Sequence, residues 1–415
     1  MTTMQRRTVL TGLAAGAAGL AAPAVRAQAA PIRLGLLTVK TGPLASGGIQ
    51  MEQGLLLFLK ERGNRLADRP VELVVADTGG APAQARTKTQ ELVERNGVHC
   101  TIGPLAAFEL LAIDDTVRQA GVPVVSVAAA DDVTQRKPNP WCVRATCSSS
   151  QCTQPFGDYA ATELGLKRVA LIADDIAYGH EQNAGFQRTF EDKGGKVVQK
   201  LWPPLAVPDY GTYISQIKAD ADAVFMGFAG SNGFRFTRQF NEYGLGGRIR
   251  MLGGMTAVDE SLLQNMGNDA IGMVSANWYS AELDNAVNRA FVEAMRREYR
   301  VDPGYYAAGT HVAGSVLEHA LRATGGRAED KDALMAALRG ANVAETARGP
   351  VRFDGFGNVV GNVYVRKVER KGPRLVNTVV KTYPDVSQFW TYDQAAFLRE
   401  PVYSRTSPPA RNLEN

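Results

Sequence analysis

The chain has 415 residues and a mass of 44.6 kDa, which is long for a single domain and suits two. Hydrophobic residues make up 45% and charged residues 21%, proportions that exclude a disordered or fibrous protein. Lys and Arg exceed Asp and Glu by 46 − 42 = +4, and by only 43 − 42 = +1 without Arg6, Arg7 and Arg26, so nucleic acid is excluded as a leading partner.

The first 29 residues are predicted to be an export signal. Arg6 and Arg7 precede a segment rich in Ala, Gly and Leu, and small residues surround Ala27 and Ala29, as in a secretory signal peptide with its cleavage site. The arginine pair resembles a twin-arginine signal. The apolar run is too short and too rich in Gly and Ala for a membrane anchor. The mature protein is therefore expected in the periplasm.

From Ile32 onward, short apolar runs alternate with amphipathic segments. The runs at 32–37 and 71–77, together with "VHCTIG" and "VPVVSVAAA", predict strands, and the segments between them predict helices. Strands that are almost continuously apolar are typical of a parallel sheet covered on both faces. Repeated strand–helix–strand units imply right-handed crossovers and a doubly wound sheet.

The same pattern starts again at Arg168. A strand at 168–175 and a helix at 179–192 precede further strands at "KVVQKLW", "ADAVFMGFAG", "IRMLGG" and "IGMVSANWY". Two α/β units predict two lobes separated by a cleft. Ligands of open α/β sheets bind beyond the carboxyl ends of the strands, so the loops at those ends are expected to line the cleft.

The motifs of common enzymes and metal sites are missing from the sequence. It contains no G-x-S-x-G, no G-x-x-x-x-G-K-[ST] and no H-E-x-x-H, which argues against an enzyme. Cys142, Cys147 and Cys152 are spaced five apart, unlike zinc or iron–sulfur ligands. A Cys142–Cys152 disulfide and buried free thiols both fit an exported protein. We therefore predict a binding protein without metal or cofactor.

Several segments in their order carry a family resemblance. "IRLGLLTVKTGPLASGGIQMEQGLLLFL", "VALIADDIAYGHE" and "GPVRFDGFGNVVGNVYVRKV" resemble the leucine/isoleucine/valine-binding protein family, the type I periplasmic solute-binding proteins of ABC transporters. The resemblance covers about 31–382. It implies two doubly wound parallel-sheet lobes joined by a three-strand hinge, with the following division: signal peptide 1–29; lobe 1, 30–145 and 279–348; lobe 2, 146–278 and 349–382; C-terminal extension 383–415.

The resemblance also implies a mechanism. Members of the family close their lobes on a ligand and deliver it to a permease in the inner membrane, so we expect a monomeric carrier that works with an ABC permease. A sensory module built on the same fold is an alternative. In the extension, Phe389, Trp390 and Tyr392 are expected to pack on a lobe, and the last ten residues, with Pro408, are expected to be loose.

The ligand is inferred from departures from the family pattern. A serine that contacts the substrate in amino-acid binders is replaced by Ala107 or Phe108, and a threonine by Ala130. The acid that pairs the substrate's ammonium falls near Met255, and a tyrosine becomes Gly47. A buried ammonium without a counter-charge would be costly. A small aromatic carboxylate, such as a benzoate or phenylpropenoate, is therefore predicted, and a branched-chain amino acid is the alternative.

The resemblance assigns the remaining contacts. Tyr178 and Tyr306 align with tyrosines that touch ligand, and backbone N–H groups near Ala107 and Ala130 are expected to hold the carboxylate. Arg144 either approaches that carboxylate or forms a hinge salt bridge. Trp278 is a further apolar candidate. The predicted ligand-binding residues are Ala107, Phe108, Ala128, Ala130, Ser149, Gln151, Tyr178, Phe228, Met255 and Tyr306.

Overall fold

A computed structural model describes residues 30–414 of the chain, and the predicted export signal lies outside them. The strands are β1 (Ile32–Thr38), β2 (Arg65–Leu66), β3 (Arg69–Asp77), β4 (Cys100–Ile102), β5 (Val124–Ser126), β6 (Cys142–Arg144), β7 (Arg168–Ala173), β8 (Lys196–Leu201), β9 (Ala223–Gly227), β10 (Arg250–Gly253), β11 (Val274–Asn277), β12 (Asn342–Val343), β13 (Val351–Phe353), β14 (Val359–Lys371) and β15 (Arg374–Val386).

The helices lie between these strands, except for the last one, which follows β15. They are α1 (Ala45–Lys60), α2 (Pro82–Gln90), α3 (Ala107–Ala120), α4 (Ser149–Thr162), α5 (Ala177–Asp192), α6 (Gly211–Ile214), α7 (Asn232–Glu242), α8 (Glu260–Met266), α9 (Ala286–Tyr299), α10 (Tyr305–Ala323), α11 (Lys331–Arg339) and α12 (Gln394–Arg399). Within 30–414, none of them has both the length and the apolar character that crossing a bilayer requires.

The first lobe is built on a six-stranded sheet in the order β2-β3-β1-β4-β5-β6, parallel except for β2. Six of the seven residues of its central strand β1 are buried, as expected for a strand with helices on both faces. Helices α1 and α10 pack closely on one face, because a Cβ at Gly54 would lie 2.2 Å from the carbonyl oxygen of Ala307.

The second lobe is built on a nine-stranded sheet that is mixed rather than purely parallel. Strands β8, β7, β9, β10 and β11 run parallel, and β14 then pairs antiparallel with β11 and with β15. Strands β14 and β15 are joined by the turn Gly372–Pro373, where Gly372 has φ +59°. This two-residue connection has no room for a crossover helix, so β14 and β15 form a hairpin.

The chain passes between the two sheets three times: between β6 and α4, between β11 and α9, and between α11 and β12. The predicted boundaries 145/146 and 278/279 fall within the first two passages, whereas 348/349 follows β12, which already belongs to the second sheet; all three stay predictions. Buried Arg348 braces one passage by donating to the carbonyl oxygen of Ala145 at 3.0 Å.

The C-terminal extension packs mainly on the second lobe. Phe389, Phe397 and Tyr403 form a small apolar cluster with Ala184 of α5. Near the end of the chain, the Arg411 guanidinium lies 2.7 Å from Asp192 and the Glu414 carboxylate 2.7 Å from Arg168. The looseness expected of the last ten residues stays a prediction.

All four cysteines are free and buried, so the structure lacks the Cys142–Cys152 disulfide. The Sγ atom of Cys152 instead lies 3.0 Å from that of Cys147. Ser148 is the N-cap of α4, which puts the two thiols at the flanking positions of a hydrophobic staple. Burial raises the pKa of the Cys142 thiol to about 11, so this thiol is protonated at neutral pH.

Candidate functional site

A narrow cavity of about 350 Å³, including its mouth, lies between the two lobes. Its walls come from the carboxyl ends of strands in both sheets, at the loops that follow β1, β4, β5, β7 and β9, and from the start of α10. This is where ligands bind in open α/β sheets. The lining residues are Leu44, Leu105, Ala106, Ala107, Phe108, Ala129, Ile176, Tyr178, Ala229, Tyr305 and Tyr306.

A larger depression of about 1020 Å³, including open solvent, lies at the opposite edge of the second sheet. It borders Arg250 and Val274, where β10 and β11 begin. Because the loops at the carboxyl ends of the strands turn away from this edge, the cavity between the lobes is the better candidate site.

Aromatic rings dominate one side of the cavity. The rings of Tyr305 and Tyr306 meet edge to face with centroids 4.9 Å apart, and Trp278 meets Tyr305 edge to face from the other side at 5.3 Å. Gly47 leaves the space that Tyr306 occupies, since a Cβ at Gly47 would lie 2.6 Å from two carbons of that ring. The glycine that replaces the family tyrosine thus makes room for a tyrosine from another helix.

Two helices begin at the cavity, one from each lobe. The first N–H groups of α3, on Ala107 and Phe108, and those of α5, on Ala177 and Tyr178, have no acceptor among residues 30–414. Free N–H groups and the positive end of the helix dipole attract anions. The cavity therefore has anion-binding character without a charged side chain in its lining.

The hydroxyl groups of the two predicted tyrosines differ in their hydrogen bonding: Tyr178 has a partner in the protein and Tyr306 has none among residues 30–414. Thr256 donates to the carbonyl oxygen of Phe228 at 3.0 Å, so Tyr178 is the donor in its 2.8 Å hydrogen bond to Thr256. The Tyr306 hydroxyl has no partner within the described chain, although the residue is only 8% exposed. Burial raises the pKa of both phenols, so both stay neutral, and Tyr306 has a hydrogen bond to offer.

Two buried carboxyl groups lie behind the cavity, and both already accept hydrogen bonds from other residues of the protein. Glu109 accepts hydrogen bonds from the Thr78 hydroxyl and, at 3.0 Å, from the Ala106 N–H. Asp259 accepts from the N–H groups of Ser261 at 3.0 Å and Tyr305 at 2.7 Å. Burial raises the pKa of the Glu109 carboxyl. Neither group lines the cavity, so an ammonium there would lack a direct partner.

Four of the predicted ligand-binding residues line this cavity: Ala107, Phe108, Tyr178 and Tyr306. Ala128 and Ala130 do not, because their carbonyl oxygens accept hydrogen bonds from the guanidinium of Arg144. Arg144 is fully buried and also donates to Thr134 and Asn358. Among the described residues it therefore forms no salt bridge within hydrogen-bonding distance, and its approach to the ligand's carboxylate stays a prediction.

Ser149 and Gln151 hold the start of α4 instead of facing the cavity. The Ser149 hydroxyl donates to the carbonyl oxygen of Ala129 at 2.9 Å. The Gln151 side chain accepts from the Ser148 N–H at 3.0 Å and donates to the carbonyl oxygens of Val359 and Val386. Both side chains have their partners inside the protein and neither lines the cavity, and their contact with ligand stays a prediction.

The remaining predicted walls also lie away from the cavity. Phe228 packs in a separate core with Tyr210 and Phe236. Met255 is fully buried, with its sulfur 3.2 Å from that of Cys147. Trp278 contacts Tyr305 from behind and carries the Arg348 guanidinium over its ring, at 4.8 Å. Trp278 therefore packs against the aromatic wall of the cavity, whereas Phe228 and Met255 are core residues.

Sequence reasoning missed seven of the lining residues: Leu44, Leu105, Ala106, Ala129, Ile176, Ala229 and Tyr305. Most are immediate neighbours of a predicted residue. Ala129 stands between Ala128 and Ala130, and Ala229 follows Phe228. In the loops after β5 and β9 the prediction is therefore one residue away from the residue that lines the cavity.

The lining offers contacts for binding and no group for catalysis. It contains no Ser, Cys, His, Lys or acidic side chain, so a nucleophile, a general base and a metal ligand are all missing from this wall. Across residues 30–414, no cluster of three or more potential His, Cys, Asp or Glu ligands surrounds a metal-sized space. The lining therefore offers aromatic and apolar contacts to a ligand and no catalytic group.

A family model described as periplasmic binding protein matches residues 31–373. Among curated proteins, the Leu/Ile/Val-binding protein homolog 6 of Brucella abortus (strain 2308) is 30% identical over 374 residues, which cover 88% of this chain and 93% of that protein. The match to the family model spans most of the chain.

Solved structures with the same fold include two ABC-transporter solute-binding proteins from Rhodopseudomonas palustris. The one from strain BisB5, in complex with 3,4-dihydroxybenzoic acid, has a TM-score of 0.82 at 32% identity and covers 86% of this chain and 98% of its own. The one from strain HaA2, in complex with p-hydroxybenzoic acid, has a TM-score of 0.81 at 27% identity and covers 87% and 99%.

Proposed function

The chain belongs to the periplasmic binding protein family, whose members bind solutes rather than transform them, and we propose that its solute is a small aromatic carboxylate. The single observation that carries this proposal is the cavity between the lobes. Its lining has no charged side chain, its aromatic wall includes Tyr306 with an unpartnered hydroxyl, and two helices, α3 and α5, begin beside it.

The two ends of such a ligand match the two sides of the cavity. The carboxylate would accept hydrogen bonds from the N–H groups of Ala107 and Phe108, a common use of a helix N-terminus. The ring would lie against Tyr305, Tyr306 and the partly buried Phe108, where offset or edge-to-face contacts and burial both stabilise it. Closure of the lobes removes water and strengthens these polar contacts.

The relatives favour two ligand classes. The two solved structures from Rhodopseudomonas palustris hold hydroxylated benzoic acids, which supports the aromatic carboxylate. The curated relative is named as a Leu/Ile/Val-binding protein homolog, so a branched-chain amino acid is the second candidate. Its ammonium would face a lining without a carboxylate, a cost of about several kcal/mol, and we therefore rank it second.

The role follows from the family and the cavity together. Ligand would select the closed state because only that state contacts it from both lobes. The closed protein would then deliver the solute to a permease of an ABC transporter in the inner membrane. A pull-down that captures permease components would support this role, whereas capture of a receptor kinase alone would point to the sensory alternative.

Isothermal titration with four compounds tests the ligand. We expect binding of 4-hydroxybenzoate and benzoate, binding of 4-hydroxybenzamide that is weaker by about tenfold or more because it carries no charge for the helix N-termini, and no binding of leucine. Binding of leucine without binding of either benzoate would contradict the proposal. Equal affinity for the amide and the acid would contradict the assigned carboxylate position.

A further inference from the structure

The two lobes touch through their backbones beside the cavity. The N–H of Ser231, just before α7 in the second lobe, donates to the carbonyl oxygen of Pro43 in the first lobe at 3.1 Å. The neighbouring residues Leu44 and Ala229 both line the cavity. We call this contact between the lobes, formed by Pro43, Gly230 and Ser231, the seam. It lies directly beside the candidate site.

Gly230 makes the seam sterically possible. It has φ +56°, and a Cβ at this position would lie 2.1 Å from the carbonyl oxygen of Pro43 and 3.0 Å from its carbonyl carbon. Both distances are shorter than a carbon can approach these atoms without strain, and backbone atoms cannot rotate away as a side chain can. Any side chain at Gly230 would hold the two loops apart.

The seam is one of several contacts between the lobes. Tyr305 of the first lobe donates its N–H to Asp259 of the second at 2.7 Å, and Asp131 donates its N–H to Glu181 at 3.1 Å. Neither contact depends on Gly230. A change at this glycine would thus affect the approach of the lobes at the seam while leaving the other contacts chemically intact.

We propose that Gly230 is a positioning residue for ligand capture, which sets how far the lobes close and thereby how tightly the solute is retained. The inference rests on the proposed function, in which affinity comes from a closed state. A side chain at Gly230 reduces the fraction of molecules that can close, and the apparent affinity falls by the same fraction. The loss lies mainly in faster release, because solute reaches the open lobes as before.

The test compares Gly230→Ala with a matched control, Gly244→Ala. Gly244 belongs to the same lobe and has φ +73°, but a Cβ there meets nothing within 4 Å. Both variants therefore carry the strain of a positive φ, and only Gly230→Ala collides across the seam. Hydrogen exchange of the Ser231 amide reports the seam itself, and titration with 4-hydroxybenzoate, with its dissociation rate, reports capture.

We expect Gly230→Ala to lose protection of the Ser231 amide and to bind 4-hydroxybenzoate about tenfold more weakly or worse, while Gly244→Ala stays within about twofold of the unaltered protein. Equal behaviour of the two variants would overturn the inference. So would a Ser231 amide that is unprotected in the unaltered protein both with and without 4-hydroxybenzoate, a measurement that needs no variant to fold.

The two proposals fail separately. If the Ser231 amide is protected in the unaltered protein and exposed in Gly230→Ala, but 4-hydroxybenzoate changes nothing, the seam is supported and the aromatic ligand is contradicted. If 4-hydroxybenzoate binds both variants with the same affinity, the ligand is supported and the role of Gly230 is contradicted.

Discussion

At the scale of single residues, Tyr306 links three features of the site. Its ring occupies the space left by Gly47, and its hydroxyl has no partner within residues 30–414. The hydroxyl of its neighbour Tyr305, in contrast, donates a hydrogen bond to the carbonyl oxygen of Val127 at 3.0 Å. A hydroxyl that has no protein partner can bind a ligand without breaking a hydrogen bond inside the protein. A ligand that accepts from Tyr306 therefore gains this hydrogen bond at the loss of water alone.

The change Tyr306→Phe isolates this hydroxyl. We expect affinity for 4-hydroxybenzoate to fall by about 3- to 10-fold, since one hydrogen bond contributes about 1 kcal/mol, while the free energy of unfolding stays the same or rises. The matched control is Tyr305→Phe, which deletes a bond within the protein and should lower stability by about 1 kcal/mol. Titration and urea unfolding of both variants decide it. A larger stability loss in Tyr306→Phe than in Tyr305→Phe would contradict the assignment.

At the scale of elements, the end of β7 organises the second lobe's side of the cavity. Asp174 accepts hydrogen bonds from the Ala229 N–H and from Asn232 of α7, both at 2.7 Å. Ala229 lines the cavity and Gly230 follows it in the seam. One buried carboxyl thus ties β7, the loop after β9 and α7 together, and burial raises its pKa from 3.8 to about 7.

This raised pKa gives stability a pH dependence with a definite sign. A carboxyl with a raised folded-state pKa keeps its proton longer in the folded than in the unfolded protein, so its contribution to stability is lost as pH rises from about 4 to about 7. The change Asp174→Asn should abolish this part of the dependence, which is at most about 4 kcal/mol for such a shift.

Urea unfolding at pH 5 and pH 8 measures it. The stability gap between the unaltered protein and Asp174→Asn should be larger at pH 5 than at pH 8. The control Asp330→Asn replaces an exposed aspartate that caps α11 and reports the general effect of an Asp→Asn change away from this cluster. A gap for Asp174→Asn that grows with pH would contradict the prediction.

At the scale of the whole molecule, the C-terminal extension contacts both lobes. The carbonyl oxygen of Glu400 accepts from Arg136 of the first lobe at 2.8 Å, and its carboxylate lies 2.7 Å from Arg188 of the second. Gln388 donates to the carbonyl oxygen of Thr134 at 2.8 Å. The extension contributes no residue to the cavity, so we expect it to support stability rather than ligand choice.

Truncation after Val386 tests this division. Removing Phe389, Phe397 and Tyr403 uncovers the α5 surface they pack on, and burial of a few such rings contributes several kcal/mol, at about 1.5–3 kcal/mol each. We expect a clearly lower melting temperature and affinity for 4-hydroxybenzoate within about threefold of the full chain. A control that ends at Arg411 keeps all three rings and loses the contacts of Glu414 with Arg168 and with the carbonyl oxygen of Val198, so it should melt close to the full chain. Unchanged melting after Val386 would contradict the expectation.

The α/β architecture and the loops that bear the site could be predicted from the sequence, because apolar runs and turn residues are local signals. Family resemblance also placed Ala107, Phe108, Tyr178 and Tyr306 at the cavity, and their contact with ligand stays a prediction. Which of two neighbouring loop residues lines the cavity became known from the folded chain alone. Ala129 rather than Ala130, and Ala229 rather than Phe228, line it, because side-chain direction in an irregular loop depends on hydrogen bonds to distant partners such as Arg144 and Asp174.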